Sequence, residues 1–107
     1  SNSVCVSTGD ELSGKDLTGQ KLVGVDLSGM DLTGTTLAGA DLSYANLTGV
    51  DLSNKDLSGT TLIGVDLSGK DLTRTALVGL DLSGMDLTDT ILTDANLTNA
   101  ILTGADL

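Results

Sequence analysis

Acidic side chains are the most abundant reactive groups in this sequence, and their spacing is strict. Position i−1 before a leucine is acidic twelve times, and it is Asn at Asn46 and Asn96. Paired carboxylates can share acid–base work when one holds a proton and the other does not. Here the same column recurs along the whole chain, so no pair is set apart from the rest. A carboxylate repeated in this way reads as a turn and surface element. Nucleophilic catalysis needs a nucleophile beside a base. The one thiol, Cys5, lies between Val4 and Val6, and the chain has no histidine. Cys5 therefore reads as a small buried or terminal thiol. No Cys/His cluster offers a zinc site. Glycines fall five apart and never gather into a phosphate-cradling loop. The sequence gives no catalytic residue, no cofactor and no metal site; the acids are expected to bind a divalent cation weakly at most.

The elements that carry these acids follow from the leucines. Leucine occupies every fifth position from Leu12 to Leu107, twenty in succession. Five residues on an α-helix advance the face by roughly 140°, so the leucines would smear around it. On a strand, an odd period sends successive leucines to opposite faces. The chain must turn a corner once per repeat. Position i+2 is Gly in 13 of 19 cases and Asn or Asp in four more. These residues accept positive φ at low cost, as a type II turn requires. Aspartate at i−1 can accept a bond from the backbone N–H two residues on, closing an Asx-turn. Four corners per coil give a square prism with leucines on the axis. Twenty repeats make about five coils, stacked at ~4.8 Å.

A longer echo lies above the five. Residues 50–64 are closely repeated at 65–79, with another copy at 25–39, as growth by fifteen-residue units would leave. Tyr44, Arg74 and Met85 are irregular choices within it. Residues 1–9 fall outside the pattern and read as a cap, with a short strand at Val4–Val6, or as a tag. Residues 10–107 read as one solenoid. Its C-terminal coil has no capping helix and needs cover or a partner for its edges.

The runs Ala40-Asp41-Leu42-Ser43-Tyr44, Ala45-Asn46-Leu47-Thr48-Gly49 and Ala95-Asn96-Leu97-Thr98-Asn99 resemble the A-(D/N)-L-x-x signature of pentapeptide repeat proteins. The resemblance covers residues 10–107. It implies an all-β fold, a right-handed quadrilateral β-helix, with positions i and i−2 inward and the other three columns outward. The chain departs from the family at i−2, where small residues are usual. Lys15, Lys55, Lys70, Met30, Met85, Gln20 and Leu80 stand there. A lysine in a dry interior is costly, so the ammonium is expected to snorkel out at a corner.

With four repeats per coil, residues twenty apart stack. One side then carries Glu11, Asp31, Asp51 and Asp71. The adjacent preceding side carries Asp26, Asp66, Asp86 and Asp106, with Asn46. The remaining sides expose Val23, Ile63 and Ile101 on one, and Ala38, Ala76 and Val78 on the other. The net charge is −10. Such a surface offers phosphates no counter-charge, which disfavours direct nucleic-acid binding and anionic membranes. No apolar run is long enough to span a membrane, and the chain reads as soluble, with the cytoplasm the favoured compartment. The surface favours a basic protein partner, drawn at long range. Val23, Ile63, Ile101 and Val78 are candidates for homodimer formation, with the uncapped C-terminal coil as rival. The leading functional expectation is a non-enzymatic structural or interaction module. The resemblance implies an alternative, since some family members mimic a DNA duplex and bind DNA gyrase. Those members carry a C-terminal helix, and some have interrupting loops; this sequence shows neither. Ice binding through the Ser/Thr column at i+1 is a third reading, weakened because that column is general in the family.

Overall fold

The computed structural model describes residues 12–107. Cys5, the Val4–Val6 strand and Glu11 lie outside the described residues. Every β-bridge pairs residues twenty apart, in parallel: Asp16 with Thr36, Asp41 with Thr61, Asp71 with Ile91, Asp86 with Asp106. Twenty residues are four repeats, so the chain closes a four-sided coil and returns above its own start. Side 1 is taken as the one bearing Leu32, Leu52 and Leu72. Side 2 bears Leu37, Leu57 and Leu77, side 3 bears Leu42, Leu62 and Leu82, and side 4 bears Leu47, Leu67 and Leu87.

Each corner is a turn closed on the leucine carbonyl. Lys15 N–H donates to Leu12 O at 3.0 Å, Met30 to Leu27 at 3.0 Å, and Ala105 to Leu102 at 2.9 Å. The third residue of every turn has φ between 57° and 76°. That value identifies the type II corner and explains the Gly, Asn and Asp column. Two residues without such a preference, Tyr44 (φ 61°) and Arg74 (φ 57°), are held there as well.

Coils are joined by backbone bonds on either side of each bridge. Leu17 N–H donates to Thr36 O at 2.8 Å, and Thr36 N–H returns to Lys15 O at 3.0 Å. Pairing among the described residues stays at isolated bridges and forms no extended strand. The all-β expectation is thus met only as one-residue ladders. A corner every five residues leaves little more than the residue before each leucine flat enough to pair.

Leucines 12 through 87 are all buried. The expectation that all twenty would be buried fails at the top of the stack. Leu92, Leu97 and Leu102 are half-buried and Leu107 is 72% exposed. A leucine here is covered from above by the next coil, and these four have none above them in this structure.

The i−2 column also differs from the expectation. Ala40, Ala45, Val50, Val65 and Leu80 are buried beside the leucines, as are Thr35, Thr60 and Thr75. Lys55 and Lys70 do not snorkel out. The Lys55 ammonium donates to Leu32 O and to Thr35 O, the latter at 3.2 Å. Lys70 repeats this on Leu47 O at 2.6 Å and Val50 O at 3.3 Å. Both reach down onto the corner of the coil below. Thr35 and Thr75 do the same with a hydroxyl, on Leu12 O at 2.7 Å and Leu52 O at 2.9 Å. A corner carbonyl has a second lone pair to offer, and a polar side chain one coil up fills it. Lys15, by contrast, is exposed.

Candidate interaction surface

The column before each leucine is fixed by its own turn. Asp26 Oδ1 accepts from Ser28 N–H at 3.0 Å and from Ser28 Oγ–H at 2.6 Å. Asp66 is held in the same way by Ser68, and Asp51 by Ser53. Asp86 takes the Thr88 N–H at 2.9 Å. Asn46 and Asn96 keep the arrangement with an uncharged oxygen. The hydroxyl bond first, then the backbone bond, holds these carboxyls below the usual aspartate range. Asp16 is lowered furthest, to about 2, because Thr36 from the next coil joins Thr18 on it. The turn uses Oδ1 throughout, and Oδ2 is the atom left for a partner. What results is a set of rigid anions in register, ionised at any physiological pH.

The two acidic sides are not equivalent. Side 1 carries Asp31, Asp51 and Asp71, and its column ends in Ile91. Lys70 opens this side and Lys55 stands just past its far corner. Asp51 feels the positive charge of both lysines, and Asp31 feels Lys55. For Lys55 and Lys70 burial pushes the ammonium down, and the aspartates on either side push it back up. Arg74 adds a further positive charge near Asp71. Side 4 carries Asp26, Asn46, Asp66, Asp86 and Asp106. Lys70 touches its field at Asp66, but Asp86 stands between Asp66 and Asp106, and the Asp66 charge pushes its pKa up against the turn bonds. Every cation of the chain lies at or before Arg74, whereas Asp81, Asp86, Asp89, Asp94 and Asp106 come after it. The unbalanced charge therefore belongs to the upper coils, where side 4 contributes Asp86 and Asp106.

The apolar candidates separate. Val23 is 52% exposed and Ile63 is 58% exposed, both at the corner between sides 3 and 4. Ile101 lies on side 3, higher up. Val78 belongs to the corner after side 2 and is half-buried, so it does not join the other three. The sequence reading missed Tyr44 as a surface element. It shares the Val23–Ile63 corner, is 65% exposed, and donates its N–H to Ile63 O at 2.7 Å. Its ring lies over Gly64, where an added Cβ would stand only 2.4 Å from the ring. Left-handed backbone costs a residue with a Cβ roughly 1–2 kcal/mol. The signal available beforehand was an aromatic residue in a column otherwise made of Gly, Asn, Asp and one Arg.

Among the described residues there is no group of three or more metal-ligating side chains. No helix there is long and apolar enough to cross a membrane.

Comparison with known proteins gives the setting for this surface. The family model described as pentapeptide repeats (8 copies) matches residues 11–49, 40–77, 56–94 and 71–107. The chain is similar to the crystal structure of HetL, a pentapeptide repeat protein involved in heterocyst differentiation regulation from the cyanobacterium Nostoc sp. strain PCC 7120. The TM-score is 0.67 and the identity 35%, over 98% of this chain and 51% of HetL. The chain thus spans about half the length of HetL. It also matches Rfr23, a pentapeptide repeat protein from the cyanobacterium Cyanothece 51142, with TM-score 0.48 and 26% identity over 90% of this chain and 63% of Rfr23. A match to QnrB1, a plasmid-mediated fluoroquinolone resistance protein, has TM-score 0.32 and 23% identity over 91% of this chain and 59% of QnrB1. No curated protein matches the chain.

Proposed function

Because the chain belongs to the pentapeptide repeat family, we propose that it is a non-enzymatic interaction module, a right-handed quadrilateral β-helix that presents side 4 to a basic protein segment. The observation that carries this reading is the state of Asp66, Asp86 and Asp106. Asp66 and Asp86 are locked by their own turns and kept ionised, Asp106 bridges to Asp86, and the column has one lysine near its middle and none above. Like charges one coil apart, at a coil rise of ~4.8 Å, repel one another even across water. Cations supplied by a partner would relieve that repulsion at no cost in rearrangement, since the acids are already positioned. Long-range attraction would raise the rate of encounter. The gyrase-binding alternative has no observation of its own on this chain.

The test is a labelled lysine-rich decapeptide titrated into the protein and followed by fluorescence anisotropy. Binding is expected to weaken with added salt. It should be lost in the Asp66→Asn/Asp86→Asn double variant and kept in Asp51→Asn, which alters the side already neutralised by Lys55 and Lys70. Equal loss in both variants, or no binding at low salt, sinks the assignment to side 4.

A further inference from the structure

The corner between sides 3 and 4 differs from the other three in what it exposes. Val23, Tyr44 and Ile63 come from three successive coils, and each is more than half exposed. At the same corner the coils above carry Ser83 and Thr103 in the Val23–Ile63 column, and Gly84 and Gly104 in the Tyr44 column. The apolar set is therefore local to these coils and is not a property of the repeat.

Two shallow grooves meet at this corner. One, of about 710 Å3, runs from the Tyr44 ring across Asn46 and Asp66 on side 4 to Lys70 and Asp71. The other, of about 680 Å3, runs from Thr61 past Ile63 to Asp81 and Asp86. Gly64 and Asp66 line both. Together they make one track that wraps the corner, with Tyr44 and Ile63 as its exposed large apolar members. Its charged members are carboxylates, apart from Lys70.

From this arrangement we propose that the track is a docking site for an extended segment of a partner protein in which arginine or lysine alternates with aliphatic residues. In an extended segment alternate side chains point to opposite sides, so a segment lying along the track can set its aliphatic side chains on the Ile63 wall and its cations on the wall of acids. A guanidinium over the exposed face of Tyr44 gains a cation–π contact and can pair with Asp66 in bidentate geometry. A second copy of this chain is disfavoured as the occupant, because it would bring the same carboxylates against Asp66, Asp81 and Asp86. The inference rests on the acidic reading of side 4 and adds to it the corner, the aromatic anchor and the pattern of the partner.

Two labelled decapeptides of equal charge separate the claims, one alternating Arg with Val and one alternating Arg with Ser. The Arg–Val peptide is expected to bind about tenfold more tightly, as a centrally placed aromatic anchor provides. Tyr44→Gly should reduce it to the level of the Arg–Ser peptide. That variant restores the residue found one coil below and above, at Gly24 and Gly64, so folding is retained, and an unchanged melting curve checks this. Ile63→Ser, the residue type at positions 43 and 83, should act in the same direction. If both peptides bind equally and Tyr44→Gly changes neither, the acidic reading of side 4 stands and the corner site is overturned. If neither peptide binds, both are overturned. A dimer in sedimentation equilibrium that dissociates on Tyr44→Gly would overturn the partner assignment in favour of a second copy.

Discussion

Sides 1 and 4 share a core, a turn type and a column of aspartates, yet they differ in what surrounds the charge. On side 1 the two lysines at its corners reach under the backbone and place positive charge beside Asp31 and Asp51. On side 4 the aspartates above Asp66 face only one another. The lesson is that a repeat protein can keep a costly column where turn chemistry demands it, and choose separately whether to neutralise it. That choice is made at i−2, the position least constrained by the turn.

The largest expected effect tests whether the core is common to both sides. Leu52→Asp on side 1 and Leu67→Asp on side 4 should each prevent folding, because each puts an unpaired charge on a fully enclosed axis. Circular dichroism showing one variant folded and the other not would break the claim that only the surfaces differ. Acid comes next. Turn-bound aspartates such as Asp16, Asp26, Asp51, Asp66 and Asp86 have folded pKa values below their unfolded ones, so their contribution is present at neutral pH and lost as pH falls through the folded values. For Asp16 that window runs from the ordinary aspartate value of 3.8 down to about 2. The melting temperature should hold down to about pH 4 and then drop; a flat profile to pH 2 would remove the turn bonds as a source of stability.

Smaller effects distinguish the sides directly. Asp86→Asn keeps the turn acceptor, as Asn46 does, and removes a repelling charge. It should raise the melting temperature at low salt by at most about a few degrees, as expected for an exposed charge. Asp51→Asn should lower it, because Lys55 and Lys70 each lose one of their two neighbouring anions. Changes of the same sign in the two variants would erase the distinction. The smallest effect is expected from salt: screening should stabilise the parent and should stabilise Lys70→Met more, since that variant removes the cation that lies between Asp51 and Asp66. A parent that melts earlier as salt is added contradicts the repulsion on which both readings depend.

The leucine period and the Gly-rich column were enough to read the four-cornered coil, because each corner is decided within four residues. The Asx bonds on Asp26 and Asp51 were legible for the same reason. What escaped depends on neighbours twenty and more residues away. Lys55 looked like a side chain in search of water until the carbonyls of Leu32 and Thr35 were found beneath it. Val78 and Ile63 occupy the same repeat position, but their corners tuck them in to different degrees. Tyr44 is conspicuous in its column, but only Gly64 one coil later gives its ring a place to lie.

The fifteen-residue echo and the twenty-residue coil are out of step, and that mismatch acts as a rotation. A copied unit lands three sides further on, so Asp51, Asp66 and Asp81 descend through sides 1, 4 and 3 in turn. The same shift sets Lys55 and Lys70, fifteen apart, at the two corners bounding one side. A fifteen-residue duplication is therefore sufficient to bracket a face with cations but moves the face it copies, whereas the copies at 25–39 and 65–79, two coils apart, fall on the same sides. Lengthening the chain in this way renews the turns faithfully and reshuffles the exterior each time, so the scaffold is inherited while its surface is free to vary.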